Sequence, residues 1–184
     1  MANYAQIRSM DISNGFGIGV SLFFSGCDFH CKNCFNSELW NHNYGKPFTD
    51  NEINTIIHLM NNSYISRLSI LGGDGLMDYN LSATIHLVEE VKKKYPEKKI
   101  WLYTGYTWED IWEDSKIIID DYTYKIYEEY KKRQKIISKC NVLVDGQYVD
   151  SQKDITLKWR GSTNQRIIDI QKSIEQNKVV LYCE

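Results

Sequence analysis

Three cysteines that lie close together constrain this chain more than any other feature of its sequence. Cys27, Cys31 and Cys34 have the spacing C-x3-C-x2-C and follow the apolar segment Gly17–Phe24. Three thiols this close cannot pair evenly as disulfides, so the spacing favours a metal centre over a disulfide framework. We therefore expect a fold that presents three thiolates on a loop at the end of a strand.

Alternative interpretations of the cysteines stay open at this point. Single cysteines are usually small buried residues, but three on one short loop are not typical of that role. Structural zinc usually takes a fourth Cys or His ligand, and His30 could complete a Cys3His site. His30 is adjacent to Cys31 in the chain, however, whereas zinc sites usually take the fourth ligand from a separate half-site.

Composition limits the class of protein. The 184 residues, with 42% apolar and 25% charged side chains, predict a single domain over residues 1–184. A net charge of −2 without a long basic block argues against nucleic acid as a partner. The chain has neither a signal-peptide pattern nor an apolar run of membrane-spanning length, and its clustered cysteines suit a reducing compartment. We expect a cytoplasmic protein that does not bind membranes.

Strand and helix patterns alternate along the chain. Strands are predicted at Gly17–Phe24, Ile65–Leu71, Lys99–Thr104, Asn141–Gly146 and Val179–Tyr182. Helices are predicted after the capping box Thr49–Glu52, from Leu81 to Tyr95 before Pro96, and from Thr107, with a solvated helix over Asp120–Lys139. This alternation predicts an α/β fold, an open partial (βα) barrel of about five mainly parallel strands, too few for a closed eight-stranded barrel.

A second candidate site follows the second predicted strand. Gly72 and Gly73 allow the backbone to approach a ligand closely, and Asp74 offers an acceptor. Taken alone, a Gly-Gly-Asp-Gly sequence is more often only a turn. The pattern becomes informative because the cysteine loop is expected at the same end of the sheet.

The cysteine spacing resembles the signature of the radical S-adenosylmethionine (SAM) enzymes, and Gly72–Asp74 resembles their Gly-Gly-Glu motif. Five segments, in their order along the chain, resemble the activating proteins of anaerobic ribonucleoside-triphosphate reductases: Cys34–Asn36 with Trp40, Gly72–Asp74, Trp101–Tyr106, Val142–Gly146 and Trp159–Gln165. The resemblance covers nearly the whole chain.

The resemblance implies a radical SAM activase. Cys27, Cys31 and Cys34 would hold a [4Fe-4S] cluster with one open iron for SAM, and a flavodoxin-type donor would reduce it. SAM cleavage would then produce a glycyl radical on the large subunit of the reductase. The implied roles of the other residues are as follows: Gly72, Gly73 and Asp74 hold the methionine amino group, Thr104 and Asp145 reach the SAM carboxylate or ribose, and Arg160, Ser162, Asn164 and Gln165 bind SAM or the partner.

Departures from the family pattern qualify these roles. Asn33 stands where many radical SAM enzymes have an aromatic residue, and Gly75 replaces a usual proline, so we expect a less rigid loop there. The segment Glu113–Lys139 has no assigned role, and Cys140 and Cys183 are interpreted as ordinary buried thiols. Two alternatives remain: an activase of another glycyl-radical enzyme, such as pyruvate formate-lyase, and a zinc-binding interaction module.

Overall fold

The computed structural model describes residues 1–112 and 124–182. Within these residues, seven strands form one mixed sheet with the spatial order β3-β1-β2-β4-β5-β6-β7. The strands are β1 (Asn3–Asp11), β2 (Gly19–Phe24), β3 (Lys46–Pro47), β4 (Arg67–Gly72), β5 (Lys99–Tyr103), β6 (Val142–Asp145) and β7 (Arg166–Asp169). The prediction of an α/β fold is confirmed, although the described sheet has seven strands where about five were expected.

The centre of the sheet consists of the parallel strands β2, β4, β5 and β6. One row of paired residues crosses all four strands and is fully buried: Leu22, Ile70, Leu102 and Leu143. Side chains alternate between the two faces of a strand, so the next residues point the other way. The sheet therefore has one face packed against helices and one face that is free to line a cavity.

Five helices are described, and residues from several of them cover the packed face. They are α1 (Asp50–Met60), α2 (Leu81–Lys94), α3 (Trp108–Trp112), α4 (Tyr124–Lys139) and α5 (Ile170–Gln176). The predicted capping box begins α1: Thr49 N–H donates to Glu52 Oε2 (2.8 Å), and Asn51 N–H donates to Thr49 Oγ1 (3.3 Å). No described helix is both long and apolar enough to span a bilayer.

Helix α4 differs from the solvated helix predicted over Asp120–Lys139. Residues 113–123 lie outside the described part of the chain, but α4 buries Tyr130, Arg133, Ile136 and Ile137. These residues recur at intervals of one to three positions, which puts them on one face of a helix. Arg133 is the charged member of this buried face, whereas Lys131, Lys132 and Lys135 of the same helix are exposed. The many charged residues concealed the buried face in the sequence.

The antiparallel strands were not predicted. β1 pairs with β2 along most of its length, and β7 pairs with β6. The segment Val179–Tyr182 was predicted as a strand, and that prediction is corrected: its ladder contact is the isolated bridge Ile168↔Leu181. The strand that extends the sheet at this end is Arg166–Asp169, which directly follows the Trp159–Gln165 segment.

Candidate iron–sulfur and ligand site

A cavity of about 500 Å³ opens at the carboxyl ends of the parallel strands. It is lined by predicted site residues from distant parts of the chain: Cys27, Cys31, Cys34, Gly72, Gly73, Asp74, Thr104, Arg160 and Gln165. This is the edge at which strand-to-helix loops of α/β folds usually carry functional residues. The structure thus brings the two main sequence motifs into one site.

The cysteine loop is held by contacts with several neighbouring segments. Gly26 N–H donates to Leu39 O (2.7 Å), and Cys27 N–H donates to Trp40 O (3.1 Å). Asn33 has a left-handed backbone (φ 57°), a conformation that asparagine adopts more readily than an aromatic residue does. Its side chain donates to Asp150 Oδ2 (2.9 Å), so Asn33 fixes the shape of the loop.

The three loop thiols fit an iron–sulfur cluster. All three are free and half-buried, and soft thiolate ligands are those that iron–sulfur clusters use. Burial raises the pKa of the Cys27 thiol to about 12, and the negative charge of Asp74 adds to this effect. Within the described residues, no three Cys, His, Asp or Glu side chains form a site for a single metal ion.

His30 does not act with the thiols in this structure. Its side chain is exposed, its ring packs edge-to-face on Trp40 with centroids 4.9 Å apart, and its Nδ1 lies 3.1 Å from Asp28 O. This orientation gives no support to the Cys3His zinc interpretation, which needs the imidazole as the fourth ligand.

The Gly72–Asp74 turn packs against the cysteine loop backbone to backbone. Gly73 N–H donates to Phe24 O (2.7 Å), and Asp74 N–H donates to Gly26 O (2.8 Å). A Cβ atom on Gly73 would lie 2.4 Å from Gly26 O, so a larger residue would push the two segments apart. Glycine at this position is therefore a requirement of the close approach.

Asp74 joins the ends of β4 and β5. Its carboxylate is 1% exposed and accepts hydrogen bonds from Thr104 Oγ1 (2.8 Å), Gly105 N–H (2.9 Å) and Leu76 N–H (2.8 Å). Burial raises the pKa of Asp74 to about 6, although these hydrogen bonds act in the opposite direction. Thr104 thus lies in the cavity wall with its hydroxyl directed at Asp74.

Three predicted ligand-binding residues are not among those that line the cavity. Asp145 is buried and accepts from Trp108 N–H (2.8 Å) and from the guanidinium of Arg166. Ser162 is buried and its Oγ accepts from Val149 N–H (3.2 Å). Asn164 Nδ2 donates to Gln147 O (2.9 Å). The hydrogen bonds of these three side chains stabilise the fold outside the cavity lining.

Arg160 remains available for a ligand. It lines the cavity, and its buried Nε has no hydrogen-bond partner in the described part of the chain. Gln165 also lines the cavity, but its side chain is engaged: Oε1 accepts from Gly161 N–H (2.9 Å), and Nε2 donates to Gly146 O (2.9 Å). In the segment Trp159–Gln165, Arg160 is thus the stronger candidate for binding a negatively charged group.

Arg133, which was not predicted as a site residue, links helix α4 to both motifs. Arg133 is 9% exposed, donates from Nε to Leu76 O (3.0 Å) and pairs with Asp78. Its guanidinium lies 4.6 Å from the centroid of the Tyr106 ring, and that ring packs on Phe29 of the cysteine loop at 5.0 Å. A single arginine on the buried face of an otherwise charged helix was the signal that could have identified it.

The turn that contains Gly75 is held by more hydrogen bonds than we expected for a loop without the usual proline. Thr84 Oγ1 donates to Gly75 O (2.8 Å), Asn80 Nδ2 donates to Asp74 O (2.9 Å), and Arg133 holds Leu76 O. These hydrogen bonds fix three consecutive carbonyls. Side chains from α2, its N-terminal flank and α4 therefore supply the order that proline would otherwise give.

A buried ion pair between Arg67 and Asp11 lies beside Asn14, a residue that lines the cavity. Arg67 is 1% exposed and donates from Nη2 to Asp11 O (2.8 Å) and Asp11 Oδ1 (3.3 Å). Burial alone would raise the pKa of Asp11, but hydrogen bonds from Asn14, Ser13 and Arg67 outweigh burial and lower it. The pair ties β1 to β4.

Cys140 is buried in the core, away from these groups, and Cys183 lies outside the described residues.

Known proteins similar to this chain include an iron–sulfur domain family and a group of activating proteins. A family model described as a 4Fe-4S single cluster domain matches residues 13–168. Three similar proteins are each named anaerobic ribonucleoside-triphosphate reductase-activating protein. The protein of Vibrio cholerae is 38% identical, over 90% of this chain and 96% of its own length. That of Escherichia coli K12 is 36% identical over 89% and 96%, and that of bacteriophage T4 is 36% identical over 90% and 92%.

Proposed function

Since the chain belongs to the family of anaerobic ribonucleoside-triphosphate reductase-activating proteins, we propose that it cleaves SAM reductively at a [4Fe-4S] cluster and generates a glycyl radical on the reductase. One observation carries the proposal: the three cysteine thiols and the Gly72–Asp74 turn line the same cavity. A cluster on those thiols would have the turn beside it, where a ligand of its open iron would bind.

A cluster held by Cys27, Cys31 and Cys34 and reduced by a flavodoxin-type donor would supply the electron for reductive cleavage of SAM, and the resulting 5′-deoxyadenosyl radical would take a hydrogen atom from a reductase glycine. These three thiolates would be its protein ligands and would leave one iron for SAM. The Gly72–Asp74 turn holds the methionine amino group. Arg160 binds the SAM carboxylate or an acidic group of the partner.

The free face of the sheet gives the cavity an apolar floor. It is lined there by Phe23, Leu71, Tyr103 and Val144, the residues that alternate with the buried row under the helices. Apolar walls exclude water, which protects a reactive radical from side reactions and strengthens electrostatic contacts with the ligand. The partner's glycine must approach the reacting carbon within about 3–4 Å, so its loop has to enter this cavity.

The decisive experiment is anaerobic activation of a defined target. The protein is reconstituted with iron and sulfide, reduced, and mixed with SAM and the large subunit of the anaerobic ribonucleotide reductase. We expect a glycyl-radical doublet in the EPR spectrum of the reductase. A parallel reaction with pyruvate formate-lyase tests the alternative target: activation of that enzyme alone would reject the proposed partner.

Two serine variants provide a matched control. Cys34→Ser removes a proposed cluster ligand. Cys140→Ser makes the same substitution at a cysteine that is fully buried in the core. Cys34→Ser should lose the cluster absorbance, SAM cleavage and the doublet, because serine is a poor ligand for such an iron. Cys140→Ser should keep all three. The reverse pattern would refute the assignment of the loop cysteines.

A further inference from the structure

The two edge regions of the described sheet differ in whether other segments cover their outer backbone groups. At β7, the C-terminal segment covers the outer edge, because Asp169 N–H donates to Val180 O (2.8 Å) and Tyr182 N–H donates to Ile167 O (2.8 Å). An exposed strand edge presents unpaired N–H and C=O groups and is usually covered in this way. The β7 edge is therefore closed to a further strand.

The outer edge of β1 lies open. β3 pairs with β1 at Asn3 and Tyr4, and among the described residues no strand pairs with the rest of this edge. The stretch Gln6–Arg8 pairs regularly with β2 on its inner side, between two register shifts. Residues 5–10 are half-buried or exposed, and Met10 is 66% exposed. At about 3.3 Å per residue, the regularly paired residues Gln6–Arg8 offer roughly 10 Å of edge.

The open edge borders the cavity. A groove of about 440 Å³ runs beside it and is lined by Ala5, Gln6, Arg8 and Tyr44 together with residues of the Phe35–Leu39 segment. Four groove residues also line the cysteine cavity: Arg8, Phe23, Phe35 and Asn36. A peptide along β1 would therefore lead directly into the site.

We propose that the open edge of β1 docks the glycine-bearing segment of the reductase, which adds to the sheet as an extended strand and enters the cavity from this side. The inference rests on the proposed function, because that function requires a glycine of the partner to reach the cavity. Glycine has no side chain for a pocket to hold. At the glycine itself the segment can be recognised only through its backbone, and an unpaired strand edge is a surface that recognises backbone.

Pairing also solves a problem of desolvation. A loop that enters a half-buried groove carries its N–H and C=O groups away from water, and each needs a new hydrogen-bond partner. The β1 edge around Gln6–Arg8 can supply such partners. Docking at the edge would also fix the register of the segment, and with it the residue that faces the cysteine loop.

Site-specific photo-crosslinking tests the location. A benzophenone amino acid replaces Gln6, which is exposed and lines the groove, or Ile126, which is 49% exposed on helix α4. Each reconstituted protein is irradiated with SAM and the large reductase subunit, and adducts are mapped by mass spectrometry. Position 6 should label the peptide that contains the radical glycine, and position 126 should not. The proposal would be overturned if position 6 gave no adduct, or gave adducts only with other parts of the reductase.

A matched pair of charge variants tests the energetics. Met10→Lys places a charge on the open edge, a feature that opposes strand addition. Ile126→Lys introduces the same charge on helix α4, away from this edge. Met10→Lys should raise KM for the reductase roughly fivefold, the effect of about one lost hydrogen bond, and should leave iron content and SAM cleavage without reductase unchanged. Equal KM values for the two variants would also overturn the proposal.

These results separate the inference from the proposed function. If the unmodified protein produces no glycyl radical on the reductase, the proposed function fails. If it produces the radical but position 6 does not label the glycine segment, the function stands and docking at β1 is wrong.

Discussion

Replacing Arg133 with methionine should loosen the candidate site without removing any residue that lines it. Methionine keeps most of the aliphatic packing but loses three interactions. The hydrogen bond from the charged Nε to Leu76 O accounts for about 2 kcal/mol, and the cation–π contact with Tyr106 for about 1 kcal/mol. Asp78 is half-exposed, so its ion pair contributes at most about 0.5 kcal/mol. The total loss is about 3 kcal/mol.

Two measurements check this estimate. Anaerobic urea unfolding should show the free energy of unfolding lowered by about 3 kcal/mol, and KM for SAM should rise about fivefold because the turn spends less time in its binding geometry. Arg133→Lys should recover part of both effects, since lysine keeps the charge but not the planar donor group. Lys132→Met, on an exposed position of the same helix, is the control. If Arg133→Met matched the control in stability and KM, the role assigned to Arg133 would be wrong.

Three further predictions concern other parts of the site. Asp11→Asn leaves Arg67 buried without its counter-charge and should lower stability by about 3 kcal/mol at pH 7. Because the folded-state pKa of Asp11 is lowered, its contribution is present above about pH 4 and is lost as the pH falls further, so urea unfolding of wild type and variant should converge in acid. Arg160→Ala should weaken the reductase EPR doublet more than it changes iron content; an equal loss of both would assign Arg160 to cluster binding. Gly75→Pro should keep SAM cleavage and change the free energy of unfolding by less than about 1 kcal/mol. The proline restricts the unfolded chain, but its Cβ would lie only 3.1 Å from Ile70, and the two effects offset each other. Complete loss of cleavage with the cluster present would show that the proline does not fit here.

The parts of the fold that could be predicted from the sequence are those with strong local signals. The parallel strands are short apolar runs, and Thr49 and Glu52 form a capping box at the start of α1. The positions of these strands and of this helix therefore follow from the sequence pattern. The β1 strand was missed because it carries mixed polar residues and is half-exposed along most of its length. Its strand geometry depends on pairing with β2, which no local pattern reveals.

The candidate site divides in the same way. The spacing of the cysteines located their loop, and the Gly72–Asp74 turn became a candidate through its position after a strand and its resemblance to the Gly-Gly-Glu motif. Both motifs are contiguous in the sequence. The partners of a side chain are not contiguous: Arg166 and Trp108 engage the carboxylate of Asp145, and they are 21 and 37 residues away from it. Sequence could not show that this carboxylate is committed to internal hydrogen bonds, nor that Arg133 reaches Leu76 across 57 residues.

The order in which the cavity lining occurs along the chain has a consequence for synthesis on the ribosome. Cys34 belongs to the first fifth of the chain, whereas Arg160 belongs to the last fifth. At about 5–20 residues per second, roughly 6–25 s separate the translation of these two residues. During that interval the nascent chain carries its three thiols without the wall that later encloses them. A product terminated before Arg160 would thus carry the three cysteines without a finished cavity.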